Sequence, residues 1–225
     1  MSRAEKIYHR LIIWLLLIIL AAPLLATLLY GISTDWSDTI LPQGFTLKWL
    51  IELWSDPRFL TALGHSLLIC FGALLFSLLL VLPAMFVIAY YYPKLDAVMN
   101  VLILMPFAVP PVVSSVGLLQ LYSSSPLMIT GTPWILVGCY FTIALPFIYR
   151  AIANNMQAIN LKELIDASHL LGASTWQAAL FVVLPNLRKG VFIAVLLSFS
   201  FLIGEFVFAN LLVGTRYETL QVYLY

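Results

Sequence analysis

Charge is what this sequence has least of. Asp, Glu, Lys and Arg make up 9% of its 225 residues, 63% are hydrophobic, and the mean hydropathy is +1.03. A water-surrounded fold of this size could not cover itself with so little polar surface, so the composition places the chain in a bilayer. The formal net charge of +1 removes any bulk electrostatic case for nucleic acid or an acidic partner. Only two cysteines occur, Cys70 and Cys139; both lie in apolar runs without paired spacing, which argues against a disulfide framework or a metal site. His9, His65 and His169 are scattered, and the sequence has no HExxH, no GxSxG and no phosphate-cradling glycine loop. No cofactor, metal or catalytic set is implied, and the chain does not read as an enzyme.

Long apolar runs are what is present. Five are long enough to cross about 30 Å of hydrocarbon, which takes roughly 20 helical residues. They run approximately over Leu11–Tyr30, Leu63–Tyr91, Ala97–Tyr122, Trp134–Tyr149 and Val191–Val213. Barrel strands would alternate in short segments, so the expected fold is all-α: one polytopic transmembrane helix bundle over residues 1–225.

The basic residues orient it. With the N-terminus in the cytoplasm, the inner segments hold Arg3, Lys6, Arg10, Lys94, Arg150, Lys162, Arg188 and Lys189, and the outer ones only Lys48, Arg58 and Arg216. That is a positive-inside bias. It puts the Gly31–Thr61 and Ser123–Thr132 loops outside and Arg150–Gly190 inside. The first run is longer than a usual signal core and has no small-x-small site after it, so it reads as an uncleaved signal anchor.

Three polar interruptions need explaining. In the third run, MPFAVPPVVSS carries Pro106, Pro110 and Pro111. Each removes a backbone hydrogen bond, and the freed carbonyls must face protein or water rather than lipid. A kinked helix lining a polar path is expected, with Pro110 and Pro111 on it. In the fifth run, SFLIGEFVFAN holds Glu205, an acid too costly to face lipid; it is either a carboxyl bonded to another helix or part of that path. The outer loop carries Asp35, Asp38, Glu52 and Asp56 among Trp36, Trp49 and Trp54. Its FTLKWLIELW stretch, Phe45 to Trp54, reads as an interfacial helix that belongs to an aromatic belt or docks an external partner.

A polar, punctuated stretch lies between the fourth and fifth runs: ELIDASHLLGASTWQAALFVVLPNLRKG, Glu163 to Gly190. Leu161, Leu164, Ile165, Ser168 and Leu171 follow helical spacing, with Lys162, Glu163, Asp166 and His169 on the other side. Gly172 stands where a left-handed residue would end that helix. Ser174 and Gln177 form a capping box for a second helix over Thr175–Leu184, which Pro185 limits. Two short helices on a tight elbow make either a rigid cytoplasmic knob or a hairpin that only anchors the interface of a channel-like or scaffolding protein.

Asp166-Ala167-Ser168, three residues, Gly172, nine residues, then Val182-Val183-Leu184-Pro185 resembles the EAA motif of permease subunits of binding-protein-dependent ATP-binding-cassette importers. That motif reads E-A-A, three residues, G, nine residues, I-x-L-P. Ala167, Gly172, Leu184 and Pro185 match identically; Asp166, Ser168 and Val182 are conservative departures. GASTWQ and the Gly204–Phe206 stretch look most like the polyamine, phosphonate, iron and thiamine group. The resemblance implies a bacterial inner-membrane importer permease whose residues 160–185 form coupling helices that dock in a cleft of cytoplasmic ATPase subunits. It also implies a second permease subunit, same or sister, and an external solute-binding protein. The family's further span after the fifth is missing from these 225 residues.

Overall fold

The computed structural model describes residues 3–37 and 41–225, with side chains from residue 5. Asp38 lies outside the described residues. The described residues form helices and irregular connections, with one isolated β-bridge, Ser33 to Phe45. The fold is all-α, as the uninterrupted apolar runs dictate.

The chain divides into two compact units, Met1–Leu60 and Thr61–Tyr225. In the first, helix α1 (Arg3–Gly31) holds an apolar stretch long enough to cross a membrane, with none of its residues buried. The loop after it is a built structure. Thr34 N–H donates to the Gly44 carbonyl at 3.0 Å, Gln43 N–H to Asp35 at 3.1 Å, and Thr46 N–H to Ile32 at 2.7 Å. Helix α2 (Lys48–Ser55) follows within the expected interfacial stretch, with a Lys48–Glu52 ion pair at 3.6 Å one turn apart.

The second unit is a helical bundle that begins within α3 (Pro57–Tyr91). Its other long helix, α6 (Pro133–Ala158), runs nine residues past the expected end at Tyr149, because AIANNMQA continues the helical period with Ile152 and Met156 buried. The expected single third span is two pieces. Helix α4 (Leu95–Leu102) and a 3₁₀ turn over Met105–Ala108 meet α5 (Pro111–Tyr122) at 89°. The cause is local: a residue before proline is driven to extended backbone, and Val109 (ψ 124°) and Pro110 (ψ 138°) are both extended. Pro111 then starts α5 at its first position, where a missing N–H costs nothing.

The short pair α7 (Leu161–Leu170) and α8 (Thr175–Asn186) precedes α9 (Arg188–Ile203). The fifth apolar run also departs from expectation. Its helix stops at Ile203, breaks over Gly204–Phe206, and resumes as α10 (Val207–Leu212). A 3₁₀ turn (Gly214–Tyr217) and α11 (Leu220–Leu224) return to α3: the Tyr217 ring stacks on His65 at 3.9 Å, and Ser66 Oγ accepts the Leu220 N–H at 2.7 Å.

Helices α6 and α9 form the centre of the core. Gly190, Ala194 and Ser198, spaced four apart, are all buried with Leu202 on one stripe of α9. Small residues at this spacing let two helices approach closely in an apolar medium. The approach is close at Gly190, where a Cβ would stand 2.5 Å from Asn155 Cβ.

Candidate functional site

The loop over residues 160–186 is built as the sequence suggests at its elbow. Helix α7 ends with Leu171 as its last half-helical residue, and Gly172 has φ +86°. Gly172 N–H bonds to His169 O at 2.9 Å and Ala173 N–H to Ser168 O at 3.0 Å. This pair of bonds closes a helix end through a left-handed residue. A Cβ at Gly172 would meet nothing within 4 Å, so the glycine is there for its backbone angle and not for close approach within the chain. The Ser174–Gln177 capping box is present: Ser174 N–H donates to Gln177 Oε1 at 2.8 Å, and Gln177 N–H to Ser174 Oγ at 3.3 Å.

Two features of the loop differ from the sequence expectation. Helix α8 does not stop at Pro185; it opens into a π turn over Ala178–Val183, runs on to Asn186, and meets α9 at 64°. Pro185 lacks an N–H and its ring crowds the carbonyl four residues back; widening the preceding turn relieves that conflict, and such π segments interrupt helices in this way. The apolar face of α7 is also narrower than the spacing suggests. Leu161, Ile165 and Ser168 are buried, but Leu171 and its neighbour Leu170 are each 90% exposed. Leu171 has left the helix, so its periodicity no longer points it inward.

The motif residues divide by position. Asp166 and Ala167 are exposed on α7, and Asp166 Oδ1 accepts the Tyr90 hydroxyl at 3.1 Å, so the last turn of α3 touches the motif acid. Ser168 is buried and bonds back to Leu164 O at 2.7 Å. Leu184 and Pro185 lie at the far end of α8, exposed, next to the bend. Leu170, Leu171, Trp176 and Phe181 add exposed apolar surface to the same loop.

Within the spans, a cavity of about 710 Å³ lies among α5, α6 and the broken fifth run. Pro106, Pro111 and Glu205 line it; Pro110 forms the elbow beside it without lining it. Most of the wall is apolar and aromatic, including Phe107, Tyr122, Phe201 and Phe208. Glu205 sits in the break, where its Oε1 accepts the Phe208 N–H at 2.9 Å and its Oε2 the Ala209 N–H at 3.2 Å. The acid thus satisfies the first amides of α10, which would otherwise lack partners at this depth. Among the described residues, no Lys or Arg lies within ion-pair distance of it. The sequence showed the acid but not the cap, because an unbroken apolar run hides where a helix stops. The one local signal was glycine before the acid, with the capped amides three and four residues beyond it.

Residues 73–224 match the family described as the inner membrane component of binding-protein-dependent transport systems. The chain is 30% identical over 203 residues to the putative 2-aminoethylphosphonate transport system permease protein of Salmonella typhimurium, covering 90% of this chain and 76% of that one. It is 27% identical over 187 residues to the spermidine/putrescine transport system permease protein of Escherichia coli, covering 81% and 68%.

Proposed function

The chain belongs to the inner-membrane components of binding-protein-dependent transport systems, and on that premise we propose that it forms the translocation path for a small amine-bearing solute and couples that path to a separate ATPase. It is a transport permease, with ATP hydrolysis on another subunit. The N-terminus faces the cytoplasm in this reading, as the basic residues require, and residues 160–185 protrude there.

The coupling loop carries the assignment. A locked elbow at Gly172 and a capped second helix make a rigid element. Its tip presents two leucines, each 90% exposed, a surface that a soluble partner would cover. The ATPase cleft takes Leu170 and Leu171 with Asp166, Ala167 and Gly172. Leu184 and Pro185, at the bend into α9, pass the motion to the spans. A second permease subunit, same or sister, and an external solute-binding protein complete the assembly.

Glu205 supports the solute class. It is an acid without a basic partner among the described residues, in an otherwise apolar and aromatic cavity, and such a wall favours an ammonium group over an anion. The relatives' names share that group, since 2-aminoethylphosphonate and spermidine/putrescine all carry amines. Uptake of radiolabelled putrescine and 2-aminoethylphosphonate by cells carrying the complete system tests the proposal. Uptake that unlabelled amines compete for is expected; competition only by solutes lacking an amine would overturn the solute class.

A further inference from the structure

A second cavity, of about 410 Å³, lies wholly within the first unit, among Tyr30 at the end of α1, Asp35, Trp36, Ser37 and Trp49. We propose that it is a binding site for a small primary alkylammonium, presented by a free solute or by the ethanolamine headgroup of a phospholipid.

The walls are set by backbone bonds. Trp49 Nε1–H donates to Ser33 O at 2.9 Å, and the Ser33 hydroxyl donates to Tyr30 O at 2.8 Å. The arms at 32–35 and 43–46 are cross-bonded, and their close approach needs Gly44, where a Cβ would stand 2.9 Å from Thr34 Oγ1. The Tyr30 and Trp36 rings lie 6.4 Å apart, centroid to centroid.

The chemistry of these walls selects a cation. Aromatic faces attract ammonium groups, and a carboxylate among them supplies the hydrogen-bond acceptor that a primary amine needs. Asp35 Oδ1 takes the Ser37 hydroxyl at 3.0 Å. Among the described residues, no Lys or Arg lies in ion-pair range of Asp35. The Trp49 ring already holds one ammonium, that of Lys48 at 5.4 Å from its centroid, and Lys48 is in turn engaged by Glu52 at 3.6 Å. Among the described residues of this segment the acids Asp35, Glu52 and Asp56 outnumber the bases Lys48 and Arg58. A positive ligand is therefore drawn to this mouth. The site is separate from the cavity at Glu205 and does not depend on what that cavity carries.

The test is fluorine NMR on the full chain labelled with 5-fluorotryptophan, in nanodiscs of phosphatidylglycerol. Trp36→Phe and Trp49→Phe assign the two cavity resonances. Titration with ethylammonium chloride is expected to shift both saturably, while sodium chloride at equal ionic strength does not. Asp35→Asn is expected to weaken binding by about tenfold, the loss of one charge-assisted contact, with Asp35→Glu restoring most of it. An unmoved Trp54 resonance in each variant shows that the loop still folds, and Ser37→Ala, expected to weaken binding several-fold, gives a second reading. Repeating the titration in phosphatidylethanolamine nanodiscs identifies the source: resonances already at the bound position point to the headgroup, and resonances that still move on titration point to a free solute. Shifts equal for sodium and ethylammonium, or a titration unchanged by Asp35→Asn, would overturn the proposal.

Discussion

The Tyr90 hydroxyl donates to the Asp166 carboxylate at 3.1 Å, joining residues 76 apart in sequence. One residue on, Tyr91 Oη lies 3.4 Å from Thr175 Oγ1. The last turn of α3 therefore touches both α7 and α8, one on each side of the elbow.

Tyr90→Phe removes the first of these contacts and leaves the ring in place. The loop should then open more often, with several-fold faster hydrogen exchange in α7 and little change elsewhere. Solute-stimulated ATP hydrolysis by the assembled complex should fall, and Asp166→Lys should lower it further by removing the acceptor for Tyr90 and reversing the charge at that position. Unchanged exchange in α7 would show that the hydroxyl holds nothing.

Glu205→Gln keeps one carbonyl oxygen for the α10 amides but turns an NH₂ toward the other. Leaving a part-buried N–H unmatched costs about 1–3 kcal/mol, so a lower melting temperature in detergent is expected. At matched membrane levels uptake should fall much more steeply, because the negative charge is gone. Uptake at the wild-type level, with the melting point lowered, would leave Glu205 only its capping role.

Gly172 separates conformation from contact. At φ +86° any side chain costs roughly 1 kcal/mol or more, and within the chain a Cβ meets nothing within 4 Å. Gly172→Ala and Gly172→Leu should therefore destabilise the isolated chain alike. Pull-down of the ATPase should distinguish them, with Leu recovering far less than Ala. Equal recovery would place the partner surface away from the elbow.

Gly190→Ala drives a methyl against Asn155, 2.5 Å from its Cβ. Overpacking of this kind costs about 1–3 kcal/mol, read as a lower melting temperature in detergent. Asn155→Gly should rescue part of the loss, so the double variant should be more stable than the sum of the two changes. Additive losses would mean that α6 and α9 shift apart rather than share this contact.

The architecture was legible where one physical rule decides it. Apolar length gave the all-α class, the need for a left-handed residue after Leu171 matched Gly172, and Ser174 with Gln177 gave the cap. The prolines announced a kink in the third run, but neither its size nor the break in the fifth run was legible, because hydropathy measures length and not continuity. Val109 and Pro110 turn the third span through 89° although every neighbour is apolar. Glu205 marked something costly within the fifth run, but only the structure shows the helix stopping and its carboxylate taking over the orphaned amides. Leu171 read as part of an apolar face until the helix ends beneath it. The Gly190, Ala194 and Ser198 stripe could have been found from its spacing of four, and was masked by an unbroken apolar run.

The central claim is that the loop around Gly172 faces the cytoplasm and seats in an ATPase. Site-specific photo-crosslinking from Leu171, 90% exposed at the tip, tests both halves in one measurement. In membranes holding the complete system, a photoreactive residue at position 171 should crosslink to an ATP-binding-cassette ATPase identified by mass spectrometry, and one at position 36 should not. The Leu171→Cys protein, with Cys70 and Cys139 replaced, should resist an impermeant thiol reagent in intact cells and react in inverted vesicles. Labelling of position 171 from outside, or no ATPase crosslink from it, would contradict the account.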